Sequence, residues 1–151
     1  MCCTMTQTRT RASCSTSTRN GSHTRPARLT SRAGLRGATT CETNSSAAIR
    51  DAVSELIDAL VSRNALTPDR IVSLTFSVTA DLDACFPAAE ARQRPGWDGV
   101  ALLDCQQMAV QGDLPRCIRV LAHAWLPEAQ TPQHPYLADA ARLRPDRSSH
   151  N

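Results

Sequence analysis

Ten residues in the C-terminal half, Arg116 to Trp125, alternate in a way that a strand with two unlike faces explains. Ile118, Val120, Ala122 and Ala124 fall on one side, and Cys117, Arg119, Leu121, His123 and Trp125 on the other, because successive strand side chains point to opposite faces. The second face sets a guanidinium between a thiol and a leucine. A guanidinium keeps its proton, so Arg119 either snorkels to solvent from a half-solvated strand or meets an anion. Just upstream, Gly112-Asp113-Leu114-Pro115 has turn chemistry and separates Leu102–Val110 from the alternating run. The expectation is a hairpin in which Leu102–Val110 folds back beside Arg116–Trp125 and brings Asp104 and Gln107 to Arg119.

The rest of the chain can build a core around that strand. At 151 residues one domain is expected, large enough to fold without disulfides or metals. Charge is uneven: residues 1–31 hold five arginines and no acidic residue, whereas 32–151 hold twelve arginines against fourteen Asp and Glu. The folded part is therefore nearly neutral, which argues against nucleic acid as the partner of the whole domain. Five scattered arginines without interleaved aromatics read as a solvated segment rather than a nucleic-acid-binding arm. Residues 1–31 are rich in Ser, Thr and Arg and lack hydrophobic periodicity, so a disordered leader is expected there. Their composition also fits a transit peptide, although without the usual apolar face, and equally an over-extended start. No run approaches the roughly 18 apolar residues of a membrane span, so no membrane partner is expected.

Seven cysteines form no CxxC pair and read as reduced thiols of a cytoplasmic compartment. Four histidines show neither HxH nor HExxH spacing, so no metal site is expected. Nucleophile elbows, Walker loops and Rossmann glycine patterns are also absent from the sequence. Chemistry is left to arginines and a few polar neighbours.

Four further elements can be placed. Arg32 to Thr43 is β-compatible, with Gly34 and Gly37 allowing close backbone approach. From Ser45 or Ser46 as N-cap, Ile49, Val53, Leu56, Ile57, Leu60 and Val61 recur at helical spacing to about Asn64. Ile71 to Thr79 alternates as a strand, with Val72, Leu74, Phe76 and Val78 expected on one face. Pro87 can open a short helix that carries Arg92 and ends at Pro95-Gly96. The tail holds the only tyrosine, Tyr136, then a short helical stretch and Arg144. Such a segment is mobile unless something docks it.

These residues together resemble the AroH-class chorismate mutases. The resemblance spans about Arg32 to Asp146 and rests on RGATT (Arg36–Thr40), TADLDACFPAAEAR (Thr79–Arg92), Gly96-Trp97, LPRCIRV (Leu114–Val120), and Tyr136-Leu137 followed by LRPD (Leu143–Asp146). It divides the chain into a leader 1–31, a mutase domain 32–146 and a tail 147–151. It implies an α+β fold, a mixed β-sheet packed against helices, assembled as a homotrimeric pseudo-α/β-barrel with active sites at the subunit interfaces. The implied reaction is the cofactor-free Claisen rearrangement of chorismate to prephenate, on the route to phenylalanine and tyrosine. By the same resemblance Arg119 faces the ether oxygen and a substrate carboxylate, and Arg36 binds a carboxylate. Tyr136 lines the pocket, while Phe86, Ala88 and Arg92 come from the neighbouring subunit. Leu143 and Arg144 belong to the tail that closes over the ligand.

Three departures from the family pattern stand out. Gln107 stands where the family often has a glutamate, placed to accept a hydrogen bond from the substrate hydroxyl. An amide can still accept through its carbonyl oxygen, without the charge, and Gln107→Glu is expected to retain activity. Asp104 stands where a small or thiol residue is expected and is a candidate for the missing carboxylate. Ala89 replaces a lysine. The alternative is a catalytically impaired trimeric module on the same scaffold that only binds a dicarboxylate.

Overall fold

The structure, a computed structural model, describes residues 30–147. The expected leader falls outside the described residues except for Thr30 and Ser31, and so does the tail beyond Arg147. The described elements are β1 (Thr30–Thr40), α1 (Ser46–Arg63), β2 (Ile71–Val78), α2 (Pro87–Arg92), β3 (Ala101–Gln106) and β4 (Cys117–Pro127), with 3-10 turns at Pro68–Arg70, Ala138–Leu143 and Pro145–Arg147.

The strands form one mixed sheet in the order β1-β4-β2-β3. β4 lies antiparallel to both β1 and β2, whereas β3 runs parallel to β2 at the edge. This overturns the expected hairpin. The residues between Gln106 and Cys117 do not reverse β3 onto β4; they carry the chain past β2, so the turn chemistry of Gly112–Pro115 serves a crossover.

Helices cover one face. Ser45 caps α1 by accepting from Ala48 N–H at 3.2 Å, and the apolar stripe Ile49, Val53, Leu56, Ile57 and Leu60 is buried against the sheet. Full burial of each such side chain is worth about 1.5–3 kcal/mol. From the sheet come Leu35, Leu74, Phe76, Ile118, Val120, Ala122 and Leu126. The phase expected for β4 therefore holds. That of β2 holds except at its start: the pairing shifts between Ile71 and Ser73, so Ile71 is buried and Val72 is exposed instead. A bulge of this kind adds one residue and turns one side chain out of the alternation.

The C-terminal end of α1 also directs the tail. Asn64, fully buried, donates to Leu60 O and Gln133 O, both at 2.9 Å, and accepts from Gln133 N–H at 2.8 Å. The chain then crosses to β1, where Ala38 N–H bonds Pro135 O at 3.0 Å and Leu137 N–H bonds Ala38 O at 2.8 Å. Tyr136 thus forms a one-residue parallel bridge with Ala38. The tail is docked, and a small second apolar cluster of Ala38, Cys117 and Ala140, with Leu114, Tyr136 and Leu143 against it, closes that end of the sheet's open face.

Candidate active site

The strand register brings three of the expected residues, Arg119, Arg36 and Tyr136, to one face of the sheet. Arg119 is paired with Ala38 on β1 and with Ser77 on β2; Ala38 is bridged to Tyr136, and Ser77 is paired with Cys105. Residues paired across strands share a face, so Tyr136 and Arg119 stand in one transverse row on the face away from α1. Arg36, two positions before Ala38 on β1, projects to that face as well, opposite Leu121. Its own backbone N–H bonds His134 Nδ1 at 3.2 Å.

Arg119 lies three residues after an unusual backbone conformation. Arg116 has φ +47°, a left-handed conformation that L-residues adopt only at a cost. Its N–H is held by Asp81 Oδ2 at 2.8 Å, and its Nε reaches Cys41 O at 3.0 Å. Thr79 Oγ1 accepts from Cys117 N–H at 2.9 Å and donates to Asp81. Burial raises the Asp81 carboxyl, but the Thr79 hydroxyl and the Arg116 N–H outweigh it and leave it below the ordinary range. This charged cap starts β4 at Cys117 and fixes where Arg119 projects.

The anion that Arg119 meets is Asp113, with Nη2 2.8 Å from Oδ1. The other Asp113 oxygen accepts from Gln107 Nε2. Gln107 extends the β3 ladder, its N–H bonding Val78 O at 2.8 Å. Arg119 Nε and Gln107 Oε1 are buried, and neither has a hydrogen-bond partner among the described residues. One donor and one acceptor are thus left unengaged on either side of one carboxylate. A cleft of about 240 Å³ lies against Gln107, Asp113 and Leu114. Asp113 carries no sequence signal beyond its place in a turn; only its hydrogen bonds to Arg119 and Gln107 single it out.

Asp104 is not part of this group. It shares a row with Phe76, which pairs with Val120, and so lies on the helix-covered face, opposite Arg119. Its carboxylate caps α2, accepting from Ala88 N–H at 3.0 and 3.2 Å through its two oxygens. Burial raises this carboxyl, while the Ala88 N–H and the Arg92 guanidinium pull it back. The expectation that a hairpin would carry Asp104 to Arg119 fails with the hairpin. Phe86, Ala88 and Arg92 gather with Asp104 around α2, and a second cleft of about 350 Å³ lies between Phe86, Asp104 and the end of β2. Phe86 is 72% exposed. Leu143 and Tyr136 pack against the same Ala38–Cys117–Ala140 cluster, and Arg144 is held by Asp146 through bonds of 3.0 and 2.9 Å. The expected site residues thus fall into two separate groups on the chain: Arg119, Gln107, Arg36, Tyr136 and the tail in one, and Phe86, Ala88, Arg92 and Asp104 around α2 in the other.

The family model for chorismate mutase type I matches residues 32–147. The chain is 37% identical over 117 residues to chorismate mutase AroH of Bacillus subtilis, covering 76% of this chain and 91% of that protein. It is 42% identical over 121 residues to chorismate mutase AroH of Thermus thermophilus, covering 77% of this chain and 96% of that one. A solved chorismate mutase from Clostridium thermocellum superposes with a TM-score of 0.67 at 36% identity, covering 73% of this chain and 98% of that one. The chain belongs to the chorismate mutase type I family.

Proposed function

We propose that the chain converts chorismate to prephenate at a site built around Arg119, in cytoplasmic synthesis of phenylalanine and tyrosine, without covalent catalysis or a cofactor. The observation that carries the reading is the unpartnered, buried Nε of Arg119 on the row that also holds Tyr136. In this pericyclic step the ether C–O bond breaks as a C–C bond forms, and no proton changes hands. Negative charge builds on the ether oxygen as the C–O bond lengthens. A fixed guanidinium there lowers the transition state more than the ground state, because it meets charge that the substrate does not yet carry. Losing such a group typically costs about a hundredfold or more in rate, roughly 3 kcal/mol. Arg36, on the same face, supplies a fork for a substrate carboxylate, and Gln107 Oε1 is an acceptor for the substrate hydroxyl. Tyr136 and Leu143 form the wall that keeps the substrate folded into the reactive shape.

The assembly is a homotrimer in which the α2 half-site of one subunit completes the Arg119 half-site of the next. Two features support this reading. Phe86 is a large apolar side chain left in solvent, and Leu103, Leu121 and Trp125 line an uncovered strip of the sheet face. Apolar strips of this kind mark association surfaces. Chorismate consumption by the full chain, with prephenate identified and Arg119→Ala run alongside, tests the reaction. Turnover that vanishes in the variant is expected. A folded protein that binds a dicarboxylate analogue and makes no prephenate would instead be the binding module.

A further inference from the structure

Asp113 joins the two groups that the proposed reaction leans on. Its Oδ1 accepts from Arg119 Nη2 and from Leu114 N–H, each at 2.8 Å, and its Oδ2 accepts from Gln107 Nε2. An ionised carboxylate can only accept. The Gln107 amide must therefore turn its NH2 toward Asp113, which leaves the buried Oε1 as its unengaged hydrogen-bonding end among the described residues. Arg119 Nη2 bonds Asp113, and its buried Nε has no hydrogen-bond partner among the described residues.

We propose that Asp113 is a positioning residue of the active site, setting the Gln107 amide to present an acceptor and the Arg119 guanidinium to present its Nε–H. This rests on the mutase reading and deepens it: the substrate hydroxyl meets the acceptor, and the ether oxygen meets the donor. The competing explanation is that Asp113 merely caps the turn through Leu114 N–H. The two separate on Asp113→Asn. The Asn oxygen still caps the turn and accepts from Arg119, but its NH2 now faces the Gln107 NH2, so the amide must flip and replace the acceptor with a donor. Adding Gln107→Glu restores a matched pair and returns one negative charge to the cluster.

The experiment compares wild type, Asp113→Asn and the Asp113→Asn/Gln107→Glu double variant as full chains. It reads kcat and KM for chorismate, thermal midpoint, and the Arg119 Nε–H nitrogen resonance, assigned with Arg119→Lys. Asp113→Asn is expected to lower kcat about tenfold or more at a near-wild-type midpoint, with most of that loss recovered in the double variant. Asp113→Ser, turn-compatible but too short to reach either partner, is expected to lose as much and gain nothing from Gln107→Glu. Wild-type kcat in Asp113→Asn, or a folded double variant no better than it, would overturn the proposal. Absence of turnover in wild type would defeat the mutase reading instead. The resonance then still decides on positioning: sharp in wild type, broadened in Asp113→Asn and sharp again in the double variant if Asp113 orients Arg119, and alike in all three if it does not.

Discussion

Gly37 and Pro135 approach so closely that a Cβ on Gly37 would lie 2.8 Å from the Pro135 carbonyl oxygen and 3.0 Å from Leu56 Cδ1. The glycine is what lets the tail lie against β1 while α1 packs beneath. Gly34, expected to serve the same purpose, has nothing within 4 Å of that position. Gly37→Ala is expected to cost about 1–3 kcal/mol, because one of the two contacts is backbone and cannot rotate away. It is also expected to raise KM by loosening Tyr136. A thermal melt and chorismate kinetics check both; an unchanged midpoint with unchanged KM would show that the tail yields freely.

Gln107→Glu no longer looks benign. With Asp113 hydrogen-bonded to that position, the variant would set two carboxylates together, and like charges so close do not both ionise readily. The Arg119 guanidinium beside Asp113 offsets only part of this. The expected outcome is a variant active at low pH, where one proton is shared, that loses kcat as pH rises and the proton leaves. Asp113→Asn on the same chain should flatten the profile. The pH–rate profiles of the two variants are the measurement, and a flat profile for Gln107→Glu alone would contradict the geometry.

The alternation of β4, the cap and stripe of α1 and the short helix at Pro87 were legible because each is local: side-chain period and capping chemistry do not depend on what lies across the fold. The hairpin was not, since Gly112–Pro115 is an equally good turn whether β4 folds directly beside β3 or on the far side of β2. That one misplacement explains the rest. It kept Arg119 and Gln107 in one group, joined in the structure through Asp113, but it put Asp104 on the wrong face. Asp81 is not legible because it acts on the Arg116 backbone 35 residues away, and Asp113 because its partners Gln107 and Arg119, each six residues off, meet it only once the crossover has been folded. The bulge at Val72 is likewise visible only against β4.

Asp104 gives a separate test of α2. Burial holds its carboxyl above the ordinary value, so the folded state favours the protonated form. Its contribution is fully present below the unfolded pKa of about 4 and is lost as pH rises through the folded value. At neutral pH the charge costs stability while the acceptor still caps Ala88. Asp104→Asn, which keeps an acceptor without the charge, is expected to melt at or above wild type at pH 7, with the gap closing near pH 4. Asp104→Ala, which removes the cap, is expected to lose about 1 kcal/mol. Thermal midpoints at the two pH values decide it; a clear loss in Asp104→Asn at neutral pH would mean that the pairing with Arg92 outweighs burial.

The alkaline limit of the fold should be set by thiols. Burial, with the Cys85 and Cys117 thiols adding to it, pushes the Cys41 thiol up from 9.0 to about 11. Burial raises Cys117 too, with Arg119 pulling it back. A raised folded value means that stability is intact below about pH 9 and is lost as pH climbs toward 11. The chain has no lysine and one tyrosine, so little else titrates in that window. Cys41→Ala is expected to lower the midpoint at neutral pH by removing a packed side chain. It should also shallow the decline above pH 9, by at most about 2–3 kcal/mol for a shift of this size. Midpoints taken from neutral pH to about 11 supply the test, and parallel alkaline slopes for wild type and variant would remove Cys41 from the account.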